Sequence, residues 1–191
     1  MALSAELQRL RNALACCTYS GAQHSDVLIE ETDVLAKLRK VRLQIGSGDW
    51  FSFCPDKGRD EKSRMSALLS TGKGHDHHRA CDCVVVICRE MQLTVLYVDL
   101  KSGNPVGYAG QFKSTRQFVR YVLGLLEEFY GSPLQIEREQ YVILYGGDKS
   151  LPLSKTTTVP KLDKAKSTQP DQAYKRAVPN GARLYARELL G

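Results

Sequence analysis

Asp82, Asp99 and Lys101 are the residues of this chain best spaced to act chemically together. They belong to the stretch Cys81 to Lys101 (CDCVVVICREMQLTVLYVDLK), which reads as two apolar strands joined by a tight turn. VVVIC and LTVLYV are rich in β-branched and aromatic residues, and Arg89-Glu90-Met91-Gln92 interrupts them with polarity. With Glu90 and Met91 at the tip, Cys88 faces Leu93, Arg89 faces Gln92, and Asp82 falls opposite Asp99. Directly opposed residues share a face, with Cβ atoms about 4.5–5.5 Å apart. Side chains alternate along a strand, so Lys101 projects from the same side as Asp99. The open end of the hairpin therefore gathers two carboxylates and one ammonium.

Two like charges held that close repel, and each raises the other's pKa unless something positive intervenes. A divalent cation is the natural partner, because hard carboxylate oxygens suit Mg²⁺. Lys101 can then hold an attacking water or a phosphate oxygen and offset charge on the scissile phosphate. That is equipment for metal-assisted phosphodiester hydrolysis.

Asp82, sixteen residues, then Asp99-x-Lys101 resembles the PD-(D/E)xK nuclease superfamily. Cys81-Asp82 with its apolar strand, Asp99-Leu100-Lys101-Ser102-Gly103, Gln111 and Thr115 are similar to small defence-associated nuclease-like proteins. Those often show a CD…(E/D)LKG…A…Q…T arrangement, and the resemblance covers roughly residues 75–146. It implies an α/β fold with a restriction-endonuclease-like αβββαβ core, a mixed central sheet flanked by helices. The implied activity is a Mg²⁺-dependent nuclease, with Mn²⁺ able to substitute, acting as a DNA endonuclease in anti-phage defence or a mobile element. Asp82 and Asp99 would hold the metal, with the Leu100 carbonyl, and Lys101 would orient water. Gln111 would lie near the site and help position water or substrate. Two departures stand out. Cysteine precedes Asp82 where the pattern has proline, and the glutamate that many relatives add from an early helix has three candidates, Glu6, Glu30 and Glu31. An alternative of another class is a catalytically inactive nucleic-acid-binding protein, or a protein-interaction module, with the same fold.

Lys113, Arg116 and Arg120 share much of one face of the helix expected after Gly107, and are candidate phosphate contacts; the bland alternative is a solvated face. His75, His77, His78, Cys81 and Cys83 are zinc-type ligands, but their spacing matches no common finger or ribbon.

The remaining chain must position these groups. At 191 residues with 42% hydrophobic and 25% charged content, it is sized for one domain with an appendage. No run of eighteen apolar residues suggests a membrane span, and the N-terminus lacks the pattern of a signal peptide. Six cysteines without such a signal are expected to be reduced thiols in a cytoplasmic protein. The net charge of +6 is uneven. Residues 149–191 carry nine Lys or Arg against three acidic residues, while residues 1–148 are balanced. This divides the chain into a nuclease-like domain, 1–148, and a basic C-terminal extension, 149–191, suited to a polyanion. The partner is then nucleic acid, DNA foremost, with no membrane. A homodimer is compatible with the family's habits, as is a protein partner in a defence system.

Periodicity predicts a helix over 3–16 with Ser4 as its cap, a loop at 18–25, and an ambiguous 26–45 in which VLIEETDVLAKL reads as helix and Lys40–Ile45 as strand. Trp50–Phe53 reads as a short strand, Asp56–Arg64 as a surface loop, 65–70 as a helical turn and Thr71–His78 as a loop. Gln111–Tyr130 is the clearest helix and Gln140–Tyr145 a strand. Lys149–Asn180 is expected to be irregular, with ARLYARELL a closing strand or short helix.

Overall fold

The computed structural model describes residues 2–56, 69–70, 74, 76–103, 105–147 and 166–190. Its centre is an antiparallel hairpin of β5 (Cys83–Arg89) and β6 (Gln92–Lys101). Glu90 and Met91 form the turn with φ of 49° and 65°. Positive φ at both central residues belongs to the turn class whose twist matches a hairpin's. Pairing runs from Arg89↔Gln92 to Cys83↔Val98, so the register is the expected one and places Asp82 opposite Asp99.

Both faces of this hairpin are buried, which is why its strands read as apolar runs rather than alternating ones. Val84, Val86, Cys88, Val95 and Tyr97 pack toward the helices, while Val85, Leu96, Val98 and Leu100 pack the other way. The main sheet has six strands in the order β1-β4-β5-β6-β7-β8. β1 (Cys17–Ser20), β4 (Trp50–Phe53), β5 and β6 each run antiparallel to the next. β7 (Gln135–Gly147) runs parallel to β6, and β8 (Tyr174–Pro179) parallel to β7. The crossover from β6 to β7 is α2 (Tyr108–Tyr130), which lays Phe112, Val119, Val122 and Leu126 on the sheet. α1 (Ala5–Asn12), capped by Ser4 Oγ accepting from Leu7 N–H, covers the same face through Leu7 and Leu10. Among the described residues the fold is mixed α/β, with three α-helices and a mixed sheet.

On the opposite face lies a second sheet, β2 (Asp26–Glu30), β3 (Lys40–Gln44) and β9 (Ala182–Tyr185), followed by the short α3 (Ala186–Leu190). The helical reading of VLIEETDVLAKL is therefore corrected, while the strand read at Lys40–Ile45 is β3; β2 and β3 form an antiparallel hairpin. Val27 and Ile29 are buried, Leu28 only half-buried and Glu30 exposed, a period of two. The loop expected at 18–25 gives up Cys17–Ser20 to β1, a polar edge strand too short to signal itself. The irregular backbone expected over 149–180 is corrected where it is described. Tyr174–Pro179 adds β8 to the sheet edge, and Lys175 and Arg176 mask its alternation by charging the edge. ARLYARELL is strand and then helix. The readings of 57–68 and 148–165 lie outside the described residues. Among the described residues no helix is long and apolar enough to cross a membrane.

The edge of this architecture tolerates little at Gly21. Its N–H donates to Trp50 O at 2.7 Å, and an added Cβ would stand 2.2 Å from Gly48 O and 2.4 Å from Trp50 Nε1. Trp50 is itself locked by Nε1–H donating to Gly46 O at 2.8 Å. Gly21→Ala is expected to destabilise the fold by about 1–3 kcal/mol, the usual cost of overpacking. A lowered midpoint in urea at unchanged slope would show it.

Candidate active site

Beyond the last β5–β6 pair the strands splay just enough for Asp82 to intervene. Its Oδ2 accepts the Leu100 N–H at 2.6 Å, replacing a ladder bond with a side-chain one. In an antiparallel ladder a residue's N–H and C=O point to the same neighbour, so the Leu100 carbonyl faces the same edge. Odd residues of β6 and even residues of β5 face the helices, so Asp82, Asp99 and Lys101 lie on the α2 side, where that helix begins.

Asp99 is wholly buried, and among the described residues neither of its carboxylate oxygens meets an aligned hydrogen-bond donor. Lys101 Nζ approaches its Oδ2 to 2.8 Å as a charge pair. The same ammonium donates to Gln111 Oε1 at 2.8 Å, and Gln111 Nε2 donates to Ala80 O at 3.1 Å. Gln111, on the first turn of α2, thus ties Lys101 to the residue two before Asp82. Burial holds the Asp82 carboxyl well above the usual range, and the Asp99 charge adds to it. Burial also raises Asp99, against the pull of Lys101. The pair is held in the state that a proton or a cation relieves.

The backbone entering β5 is fixed by α2. Cys81 N–H donates to Thr115 Oγ1 at 3.1 Å, Thr115 Oγ1 donates to Gln111 O at 2.9 Å, and Ser114 Oγ donates to His77 O at 2.6 Å. Gly110 lets this segment close in, since a Cβ there would meet Asp76 Oδ2 at 2.9 Å. Thr115→Val is expected to cost about 1–3 kcal/mol, because it strands a buried N–H at the approach to Asp82. Thermal unfolding of the variant would measure it.

Of the three glutamate candidates, Glu31 is the one whose charge bears on the pair, adding to the rise of both Asp82 and Asp99, while its Oε1 accepts the Asp33 N–H at 3.0 Å. Glu6 is taken by Arg9 and Ser132, and Glu30 by Lys40 at 3.1 Å. Position alone selects Glu31, for it follows β2 directly, and nothing in the local sequence separates it from Glu30.

The helical cations divide. Lys113 is exposed near the start of α2. Arg120 Nη2 pairs with Glu139 Oε2 at 2.7 Å, midway along β7, and Arg116 lies against Tyr141. The structure does not bring these two to the carboxylates. In the basic C-terminal stretch, Lys175 Nζ lies 5.0 Å over the Tyr108 ring and Arg176 pairs with Glu188 at 2.8 Å, so both serve the fold. Among the described residues the His/Cys set does not gather. His77 and His78 both aim Nε2 at Ser70 O, at 2.8 and 2.9 Å, while Cys81 and Cys83 are buried. His75 lies outside the described residues. Among the described residues no three His, Cys, Asp or Glu side chains converge as a ready metal cage. All six cysteines are free of disulfides. No protein-family model matches the chain, no curated protein matches it in sequence, and no solved structure matches it in fold.

Proposed function

We propose that this chain is a divalent-metal-dependent nuclease, hydrolysing phosphodiester bonds of DNA at the open end of the β5–β6 hairpin. The observation that carries the reading is the buried Asp99 carboxylate. It opposes Asp82, lacks an aligned donor, and has Lys101 Nζ at 2.8 Å. With β1, β2 and β3 set aside as additions between α1 and β4, the elements α1, β4, β5, β6, α2 and β7, with β7 parallel to β6, follow an αβββαβ order that supports a restriction-endonuclease-like core.

The donor set suits Mg²⁺. Two carboxylates and a carbonyl leave several positions to water and phosphate, which is how this ion is ordinarily held. Asp82, Asp99 and the Leu100 carbonyl are the groups that would hold it, with Glu31 acting through its charge or an intervening water. When bound, the ion supplies a polarised phosphoryl oxygen and a water of lowered pKa. The chain's own groups do the rest. Lys101, steadied by Gln111, offers a fixed cation to a phosphate oxygen and orients the attacking water. Gln111 keeps the ammonium from collapsing wholly onto Asp99.

The test is incubation with supercoiled plasmid, single-stranded DNA and RNA, in Mg²⁺, in Mn²⁺ and in EDTA. Metal-dependent cutting of DNA is the expected result. Glu31→Gln is expected to shift the metal concentration needed rather than abolish the rate. Binding of nucleic acid without cutting in any metal would replace this reading with that of a non-catalytic binding protein.

A further inference from the structure

A surface helix ordinarily turns polar residues away from the core. α2 buries Val119, Val122 and Leu126 against the sheet, yet the second half of its solvent side is apolar as well. Tyr121 is 63% exposed, Leu125 36% and Phe129 71%, at positions i, i+4 and i+8 of one helix. A single apolar residue in water needs no explanation, but a row of three neighbours does. Gly124 lies in the middle of that row. It is exposed, in the interior of a 23-residue helix, and an added Cβ there would meet nothing within 4 Å. Among the described residues, therefore, no close contact within the chain calls for a glycine, which after proline is the residue least suited to a helix interior. On an outward face, its missing side chain leaves a notch through which another backbone can approach.

The order of charges along α2 selects the occupant. Lys113 and Arg120 are exposed before Gly124, and Glu127 and Glu128 are exposed after it. A second α2 crossing antiparallel at Gly124 sets Arg120 of each copy beside Glu127 of the other, whereas a parallel crossing sets like charges together. Arg120 gives one amino group to Glu139, and its side chain, still 48% exposed, keeps donors for another acceptor. The same crossing seats Leu125 of each copy at the Gly124 notch of the other and brings Tyr121 against Phe129. A two-fold contact requires a surface complementary to itself, and this one is. We propose that α2 is the interface of a homodimer, with two copies of this chain crossing antiparallel at Gly124. Aromatic side chains offer about 150–250 Å² each, so the row exposes roughly 300–400 Å² of apolar surface per copy. That is a fitting core for an interface of about 800 Å² per partner, whose polar rim Gln117, Arg120, Glu127 and Glu128 would supply. The proposal does not depend on the nuclease reading.

The test is sedimentation equilibrium of the full chain at tens of micromolar, for the wild type, Leu125→Glu and Gly124→Leu. The wild type is expected to sediment at twice the mass of the chain. Leu125→Glu opposes two carboxylates at the two-fold axis and Gly124→Leu fills the notch, so each is expected to weaken association by about tenfold or more. Since a Cβ at position 124 meets nothing within the chain, Gly124→Leu is also expected to raise the urea midpoint of the dilute monomer. That second readout separates a lost interface from a damaged fold. A wild type that stays monomeric overturns the proposal, as does a dimer that both variants leave intact. Assemblies larger than two would overturn the two-fold crossing. A lowered urea midpoint in Gly124→Leu would mean that position 124 packs within its own chain, and the notch would be wrong.

Discussion

Lys101→Ala is expected to slow cleavage by about 10²–10³-fold, the scale on which removing one fixed transition-state donor acts. The ammonium lies 2.8 Å from Asp99 Oδ2 and 2.8 Å from Gln111 Oε1, so it is held by two partners rather than free to wander. Its loss also leaves the wholly buried Asp99 without its neighbouring cation. Removing one member of a buried pair costs about 3–5 kcal/mol when the other stays charged. Asp99 escapes part of that by taking a proton, so the destabilisation is expected to shrink as pH falls from 8 to 6. Lys101→Met, which keeps the stem and loses the charge, should show the same rate loss with less damage to packing. Single-turnover cleavage beside thermal unfolding at the two pH values checks both halves. A rate near wild type in either variant would remove Lys101 from the chemistry.

The second expected result concerns pH and metal together. Burial and the facing Asp99 charge raise Asp82, and burial raises Asp99. The folded chain thus binds these protons more tightly than the unfolded chain does. Stability from the pair is fully present below the ordinary carboxylate range, near about pH 4, and is lost as pH rises through the elevated folded values. A divalent cation competes with those protons, so the stabilisation given by Mg²⁺ should grow as pH rises. With Mg²⁺ at about a hundred times its dissociation constant, the gain approaches about 2.7 kcal/mol. Asp99→Asn should flatten the metal-free pH dependence and abolish most of the Mg²⁺ gain. Unfolding midpoints from pH 5 to 8.5, with Mg²⁺ and with EDTA, measure both effects. An Mg²⁺ gain that is equal at every pH would mean that the ion binds elsewhere.

The hairpin and its register were legible because two runs of β-branched residues flank one short polar interruption, leaving few ways to pair. Once Glu90 and Met91 are taken as the turn, the opposition of Asp82 and Asp99 follows from counting. Gln111 was legible as the start of an amphipathic helix, although the helix begins at Tyr108. Tyr108 is drawn in by its ring contact with Phe112 and its hydroxyl donating to Asp171 O, both matters of tertiary structure. The choice of Glu31 over Glu30 was not legible, because one residue's difference in a strand turns a side chain to the opposite face. Of the second sheet, β3 was legible in the alternation of Lys40–Ile45, but β2 was not. β2 reads as helix when Val34 and Leu35 are counted with Val27 and Ile29, and those two residues turn out to face water. The strand at Tyr174–Pro179 was hidden by Lys175 and Arg176, whose charges look like a solvated tail until their partners Tyr108 and Glu188 are seen. The pairing of Arg120 was hidden in the same way, since its partner Glu139 lies nineteen positions further on.

Nicking of supercoiled plasmid by the wild type and by Asp99→Asn, purified side by side and assayed with Mg²⁺, Mn²⁺ and EDTA, tests the Asp82–Asp99 pair most directly. The substitution keeps the shape of the side chain and removes the charge that would hold the ion. Cutting by the wild type in either metal, stopped by EDTA and reduced about 10³-fold or more in the variant, is the predicted result. Equal cutting by both proteins, or none by the wild type in either metal, would contradict it.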